Sequence, residues 1–179
     1  FPARPKDHLE NLRPFDYICT DIWGPIRPAS YRNTHFMVSF LCAKTGSGRV
    51  YDMATTGEAV DCFVDFLSYV RSLGYNPECA VLKSDAHSVY ISGAFAEVCR
   101  QQRIRQVNSA PYIHGQNGFA EGFIRIMDDM VRPMLSMSGL GRNHWPLAYK
   151  HARWLYERLP RSNGLVPFTQ VNGTVPDLS

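Results

Sequence analysis

Three apolar runs of strand length follow one another early in this chain with little more than turns between them. Residues 15–22 form the first, which closes on Tyr17-Ile18-Cys19-Thr20-Asp21, and Trp23-Gly24-Pro25 then turns the chain. Residues 34–43 form the second; after a turn from Lys44 to Gly48, Arg49 to Ala54 form the third. Consecutive strands joined this way predict an antiparallel meander. Beyond it the period changes. Apolar residues recur at 59, 60, 63, 66, 67 and 70, a helical spacing, with Thr55 and Glu58 at capping-box distance and Gly74 to close the end. A buried strand over 79–84 ends at Asp85, a helix over 92–102 has Ser92 as its cap, and Ile104 to Asn108 make a short strand. The loop 109–118 leads into a long helix with apolar positions 119, 123, 126, 127, 130 and 134, which Pro133 should kink or end. A last helix begins near Asn143 and carries Trp145, Ala148, Ala152, Leu155 and Leu159 on one face. Three strands followed by alternating helices and strands predict an α/β fold.

Residues 1–14 read as a polar, proline-containing extended lead-in, and 15–179 as one domain long enough for a proper core. The 45% hydrophobic and 20% charged content is that of an ordinary globular protein. No apolar run approaches the roughly 20 residues that span a bilayer. The first residues, Phe1-Pro2-Ala3-Arg4-Pro5-Lys6, contain no apolar core of a signal peptide, and the chain reads as a piece of something longer. A net charge of +3 permits nucleic-acid binding without requiring it, but most of the 19 basic residues are arginine, whose planar fork suits phosphate oxygens. Cys19, Cys42, Cys62, Cys79 and Cys99 are odd in number and scattered, each in an apolar run. They predict buried thiols in a reducing compartment, with neither a disulfide framework nor a zinc knuckle.

Three acids stand out from the rest. Asp21 and Asp85 each sit at the polar end of an apolar run, and Glu121 follows the loop Gly115-Gln116-Asn117-Gly118. Glu121 lies two residues from each of the stripe positions Phe119 and Phe123, so it points away from the apolar face of its helix. Two strand-end aspartates and a helix-borne glutamate can converge on one spot. Converging carboxylates raise each other's pKa and cannot all stay ionised without a cation. Oxygen ligands suit Mg²⁺, and two such ions about 4 Å apart drive in-line attack on phosphodiesters.

The chain resembles the catalytic core of retroviral and retrotransposon integrases, the DDE polynucleotidyl transferases, and most of all those of copia-type elements. The resemblance rests on Asp21-Ile22-Trp23-Gly24-Pro25, Ser84-Asp85, Ser109-Ala110-Pro111-Tyr112, Gln116-Asn117-Gly118, Ala120-Glu121 and Arg158-Leu159-Pro160, and it runs from about residue 13 to the C-terminus. It implies a ribonuclease-H-like fold: a five-stranded mixed sheet with helices on both faces, the first and fourth strands side by side. It implies Asp21, Asp85 and Glu121 as catalytic metal ligands for two Mg²⁺ ions, with Mn²⁺ as a substitute. It implies cleavage near the end of an element's DNA, then attack of the freed 3′-OH on target DNA. Double-stranded DNA as partner, a homo-oligomer as working form and the nucleus of a eukaryotic host follow from the same resemblance. The aromatic residues Trp145, Tyr149, Trp154 and Tyr156 offer one contact surface for such an oligomer, or else belong to the core.

In this family the loop before the glutamate lies against DNA ends, which makes Gln116 and Asn117 candidate DNA ligands. Arg125, one turn beyond Glu121, reads equally as a phosphate ligand or as the partner of Asp128 or Asp129 in a surface ion pair. His114 reads as a surface residue or an acid–base group, and Asp52, Asp61, Asp65, Asp128 and Asp129 as surface acids. One departure stands out. Copia-type cores carry an Asn-Gly-Gly-Glu-Phe string after the second aspartate, whereas this chain has Ala86-His87-Ser88-Val89-Tyr90. Gly122-Phe123-Ile124 likewise replaces the usual basic and polar residues after the glutamate. Two other readings therefore stand beside the integrase: a decayed or domesticated core that binds DNA or a partner without turnover, and a ribonuclease H-type nuclease.

Overall fold

Alternation along β2 (Phe36–Cys42) organises the molecule. Val38, Phe40 and Cys42 are buried on one face of the strand, Met37 and Leu41 on the other, so β2 is covered on both sides. The computed structural model describes residues 11–85, 87–108, 118–161 and 163–178. In it β1 (Tyr17–Trp23), β2, β3 (Gly48–Met53), β4 (Val81–Ser84) and β5 (Arg105–Asn108) form one mixed sheet in the order β3-β2-β1-β4-β5. The first three strands are the antiparallel meander, and β4 and β5 add parallel to the other edge of β1.

One face of the sheet is covered by α1 (Ala59–Ser72), α2 (Ser88–Ile91) and α3 (Gly93–Gln101). Ala59, Phe63, Phe66, Leu67 and Val70 form the buried stripe of α1, as the spacing predicts. Phe40 sits beneath that stripe, with ring centroids 5.2 Å from Phe63 and 5.3 Å from Phe66. Glu58 accepts the Thr55 backbone N–H at 3.0 Å, and Gly74 closes the helix at φ +84°. The Ser92 hydroxyl accepts the Phe95 N–H and caps α3. The short helices α2 and α6 (Pro167–Asn172) have no counterpart in the apolar pattern.

The opposite face carries α4 (Gly118–Ser138) and α5 (Trp145–Arg158). Two expectations change here. Of the two outcomes expected at Pro133, an end to the helix does not occur: α4 continues to Ser138. Residue 133 is exposed, so the carbonyl that its missing N–H leaves unbonded faces water, which removes most of the penalty. The buried face of α5 is Trp145, Ala148, Tyr149, Ala152 and Tyr156, not one running on to Leu155 and Leu159; Leu159 is exposed and beyond the helix end. Tyr149 can bury its ring because its hydroxyl donates to Asp128, and the Arg161 guanidinium lies over the face of the Tyr156 ring. Trp145, Tyr149 and Tyr156 are thus spent inside the monomer, which leaves only half-buried Trp154 of the proposed aromatic contact surface.

Several predicted surface or core residues also move. Asp52 has a nearly buried side chain, paired with Lys150 at 2.8 Å and bonded by Thr34. Glu157 is buried and accepts from Ser47 Oγ at 2.7 Å, the Gly48 N–H at 3.1 Å and Arg153. Cys19, Cys42 and Cys99 are buried, but Cys62 is half-buried and Cys79 exposed. Among the described residues, no helix is long and apolar enough to cross a membrane.

Candidate active site

Two adjacent parallel strands carry the two aspartates. The register pairs Tyr17 with Val81, Ile18 with Leu82 and Cys19 with Lys83; continued in step, it sets Asp21 against Asp85. Asp21 lies within β1, Asp85 directly after β4, and both are half-buried. Side chains alternate along β1. Ile18 faces the α1 core and Thr20 meets Tyr90 of α2, while Cys19 packs against Ala120 of α4. Asp21 shares the Cys19 face and so belongs to the α4 side.

Ala120 is what brings the third acid in. Buried against Cys19 and Ala43, it fixes the first turn of α4 over β1, and Glu121 is the next residue, with its side chain exposed. The electrostatics reflect this placement. Burial first, then the Asp85 charge, and to a smaller extent that of Glu121 push the Asp21 carboxyl up to about 7, against a hydrogen bond from the Ile22 backbone that acts the other way. Near neutral pH the ionisation of Asp21 is therefore opposed unless a cation compensates.

The altered word after Asp85 has a structural role. The Asp85 carboxylate accepts the His87 N–H at 3.2 Å, and His87 Nδ1 in turn accepts the Val89 N–H at 3.3 Å as the cap of α2. Capped this way, α2 delivers Tyr90 into the core beneath the site, where its hydroxyl meets Thr20 Oγ1 at 2.8 Å. Gln106 of β5 donates to the Tyr90 carbonyl at 3.0 Å. Tyr90 and Thr20 were invisible as site residues in the sequence. The one available signal was that Thr20 precedes Asp21 and must face the opposite layer.

Arg125 is exposed on α4, one turn beyond Glu121, and makes no ion pair among the described residues. Neither the pairing with Asp128 nor that with Asp129 is formed among the described residues, and Asp128 accepts from Tyr149. Gln116, Asn117 and His114 lie outside the described residues. Among those described, no group of three His, Cys, Asp or Glu side chains is arranged to hold a metal ion. The donor chemistry nevertheless fits a hard divalent cation: paired oxygen ligands, partly desolvated, whose ionisation is opposed until positive charge arrives.

Comparison with known proteins yields consistent matches. No protein-family model matches the chain. It is 29% identical over 150 residues to the retrovirus-related Pol polyprotein of transposon TNT 1-94 from Nicotiana tabacum, a match covering 83% of this chain and 11% of that one. It is 25% identical over 172 residues to the corresponding polyprotein of transposon RE1 from Arabidopsis thaliana, covering 94% of this chain and 11% of that one. The chain thus spans about a tenth of the length of these relatives. In three dimensions it is similar to a chain of the simian T-cell lymphotropic virus intasome solved with the PP2A regulatory subunit B56 gamma, with TM-score 0.72 and 20% identity over 94% of this chain and 58% of that one. The HTLV-2 integrase catalytic core domain, solved with magnesium in a trimeric form, matches with TM-score 0.66 and 15% identity over 89% of this chain and 98% of that one. These structural matches show the fold, a five-stranded mixed sheet with helices of the integrase-core kind.

Proposed function

We infer, for a chain that is an integrase core related to the retrovirus-related Pol polyproteins of copia-type transposons, that it cleaves and joins DNA at Asp21, Asp85 and Glu121. The observation that carries this reading is the apposition of Asp21 and Asp85 on neighbouring parallel strands, with Glu121 near enough to disfavour ionisation of Asp21. Asp21 and Asp85 would hold Mg²⁺ (Mn²⁺ as substitute), two ions in all, with Glu121 completing one of them. A divalent cation there supplies activation of the attacking oxygen and stabilisation of the leaving one. The protein's part is to hold three carboxylates in place and to exclude water from behind them, through Ala120 on one face and Tyr90 on the other. Arg125 is free to take a phosphate one turn beyond Glu121, and Gln116 and Asn117 are the DNA ligands of the preceding loop. Water attacks near the end of the element's DNA in the first reaction; the freed 3′-OH attacks target DNA in the second. No covalent enzyme intermediate is needed. Two DNA ends joined to one target call for an oligomer, and we take the nucleus of a eukaryotic host as the compartment.

The test uses the full-length protein with its own terminal DNA. Asp85→Asn should abolish end cleavage and joining in both Mg²⁺ and Mn²⁺, with the circular dichroism spectrum unchanged. Joining retained by that variant rules out the site. A second reading, a core that binds DNA without turnover, is favoured by the altered residues after Asp85, where His87 serves as the cap of α2. It predicts salt-sensitive, sequence-indifferent binding by the wild type and no joined product even in Mn²⁺.

A further inference from the structure

A second cationic feature lies along α4, beyond the candidate active site. A groove of about 790 Å³ opens between the β1–β2 connection, the second half of α4 and the start of α5. Three arginines line it from three separate elements: Arg27 from the connection, Arg132 from α4, and Arg142 from the 3₁₀ turn before α5. All three are exposed, and none makes an ion pair among the described residues. The carboxylate in the groove, Asp128, is engaged by Tyr149. Three guanidinium groups against one carboxylate leave a positive surplus, and arginine cannot shed its charge by losing a proton. An anion is the chemistry that relieves it.

The groove is held open by bonds that owe nothing to a ligand. Trp145 Nε1 donates to the Pro28 carbonyl at 3.1 Å, and the Tyr31 N–H donates to the Asn143 carbonyl at 2.9 Å. The Tyr31 and His144 rings stack with centroids 5.2 Å apart. These three contacts pin the β1–β2 connection to the start of α5, so Arg27 and Arg142 both line the groove before anything binds.

Position identifies the anion. On α4, Arg125 and Arg132 are seven residues apart and share one face, about 20° from alignment. At 1.5 Å per residue, Arg125 lies about 6 Å and Arg132 about 16 Å beyond Glu121 along the helix axis. The cations therefore continue away from the candidate site in one direction, and successive phosphates of a strand are the repeating anion that such a track fits. We propose that the Arg27–Arg132–Arg142 groove binds the phosphodiester backbone of the DNA strand as it leaves the active site. This rests on the DNA-joining reading above, but concerns a separate surface.

The test measures binding, not joining. Fluorescence anisotropy with a 20-bp duplex is followed against salt for the wild type, for R27Q/R132Q/R142Q, and for R71Q/R100Q/R103Q, which removes the same charge from α1, α3 and the turn after α3. The groove variant should lose about 2.7 from the magnitude of the log K–log salt slope, roughly 0.9 for each phosphate contact, and the control variant much less. Thermal unfolding should be the same for all three proteins, and an all-lysine groove should keep most of the slope. Equal losses in both variants, or none in the groove variant, overturn the proposal while leaving the DNA reading intact. A wild type that binds no DNA overturns both. If heparin shows the same slope change as duplex DNA, the groove takes polyanions in general and the assignment to a DNA strand fails.

Discussion

Replacing Asp21 by asparagine should stabilise the metal-free protein, by an amount that grows with pH. The Asp21 carboxyl is displaced from 3.8 to about 7, chiefly by burial and by Asp85. A carboxyl raised this way binds its proton more tightly when folded than when unfolded. Its contribution is thus fully present below the unfolded value and is lost as pH rises from about 4 to about 7. With each pKa unit worth about 1.4 kcal/mol, the ionised carboxylate costs at most about 4 kcal/mol at pH 8, or about 2–4 kcal/mol once water at this half-buried position is allowed for. Asparagine has the same shape and carries no charge. Urea titrations of wild type and Asp21→Asn in chelator at pH 5, 6, 7 and 8 should therefore diverge, with the gap widening by about 2 kcal/mol between pH 5 and 8. Adding Mg²⁺ at pH 8 should raise the wild-type midpoint and leave that of the variant nearly unchanged, since ligand binding to the folded state alone stabilises it. A stability difference that is constant from pH 5 to 8 would refute the electrostatic account of this site.

Glu157→Ala should cost about 2–4 kcal/mol in the same titrations, because Ser47, Gly48 and Arg153 would lose a buried acceptor together; a loss under about 0.5 kcal/mol would contradict that network. Tyr90→Phe removes the Thr20 contact behind Asp21 and should cost about 1 kcal/mol. In the joining assay it should slow turnover while leaving DNA affinity unchanged, and a variant indistinguishable in both would remove Tyr90 from any positioning role.

The local pattern was informative where a single face decides the outcome. All five strands appear within two residues of their predicted limits, because alternating apolar residues flanked by Gly and Pro leave little else to form. The stripe of α1, its Glu58 contact and the Ser92 cap follow from spacing alone. Pattern reading failed where a residue has two natures. The tyrosines of α5 were passed over in favour of Leu155 and Leu159, although Tyr149 and Tyr156 continue the i, i+4 and i+7 positions of Trp145 and Ala152 more regularly. Asp52 looked like a surface acid, and Glu157 did not stand out at all, because nothing near them in sequence reveals Lys150, Ser47 or Gly48.

The sequence by itself determined the order of the five strands and the four longer helices, and it singled out three candidate acids, two toward the ends of apolar runs and one at a helix start. Those are local properties, set by period, turn chemistry and the direction in which a side chain leaves its own element. The adjacency of β1 and β4 came from the resemblance and not from periodicity, and only the tertiary structure decided that Ala120 seats α4 on β1 and that Tyr90 fills the space behind Asp21. The same holds for the three arginines that meet across a groove from positions 27, 132 and 142. Periodicity states which residues share a face; it carries no information about which other face they will meet. That choice is made by the packing of whole layers, and the electrostatics of Asp21 exist only once it has been made.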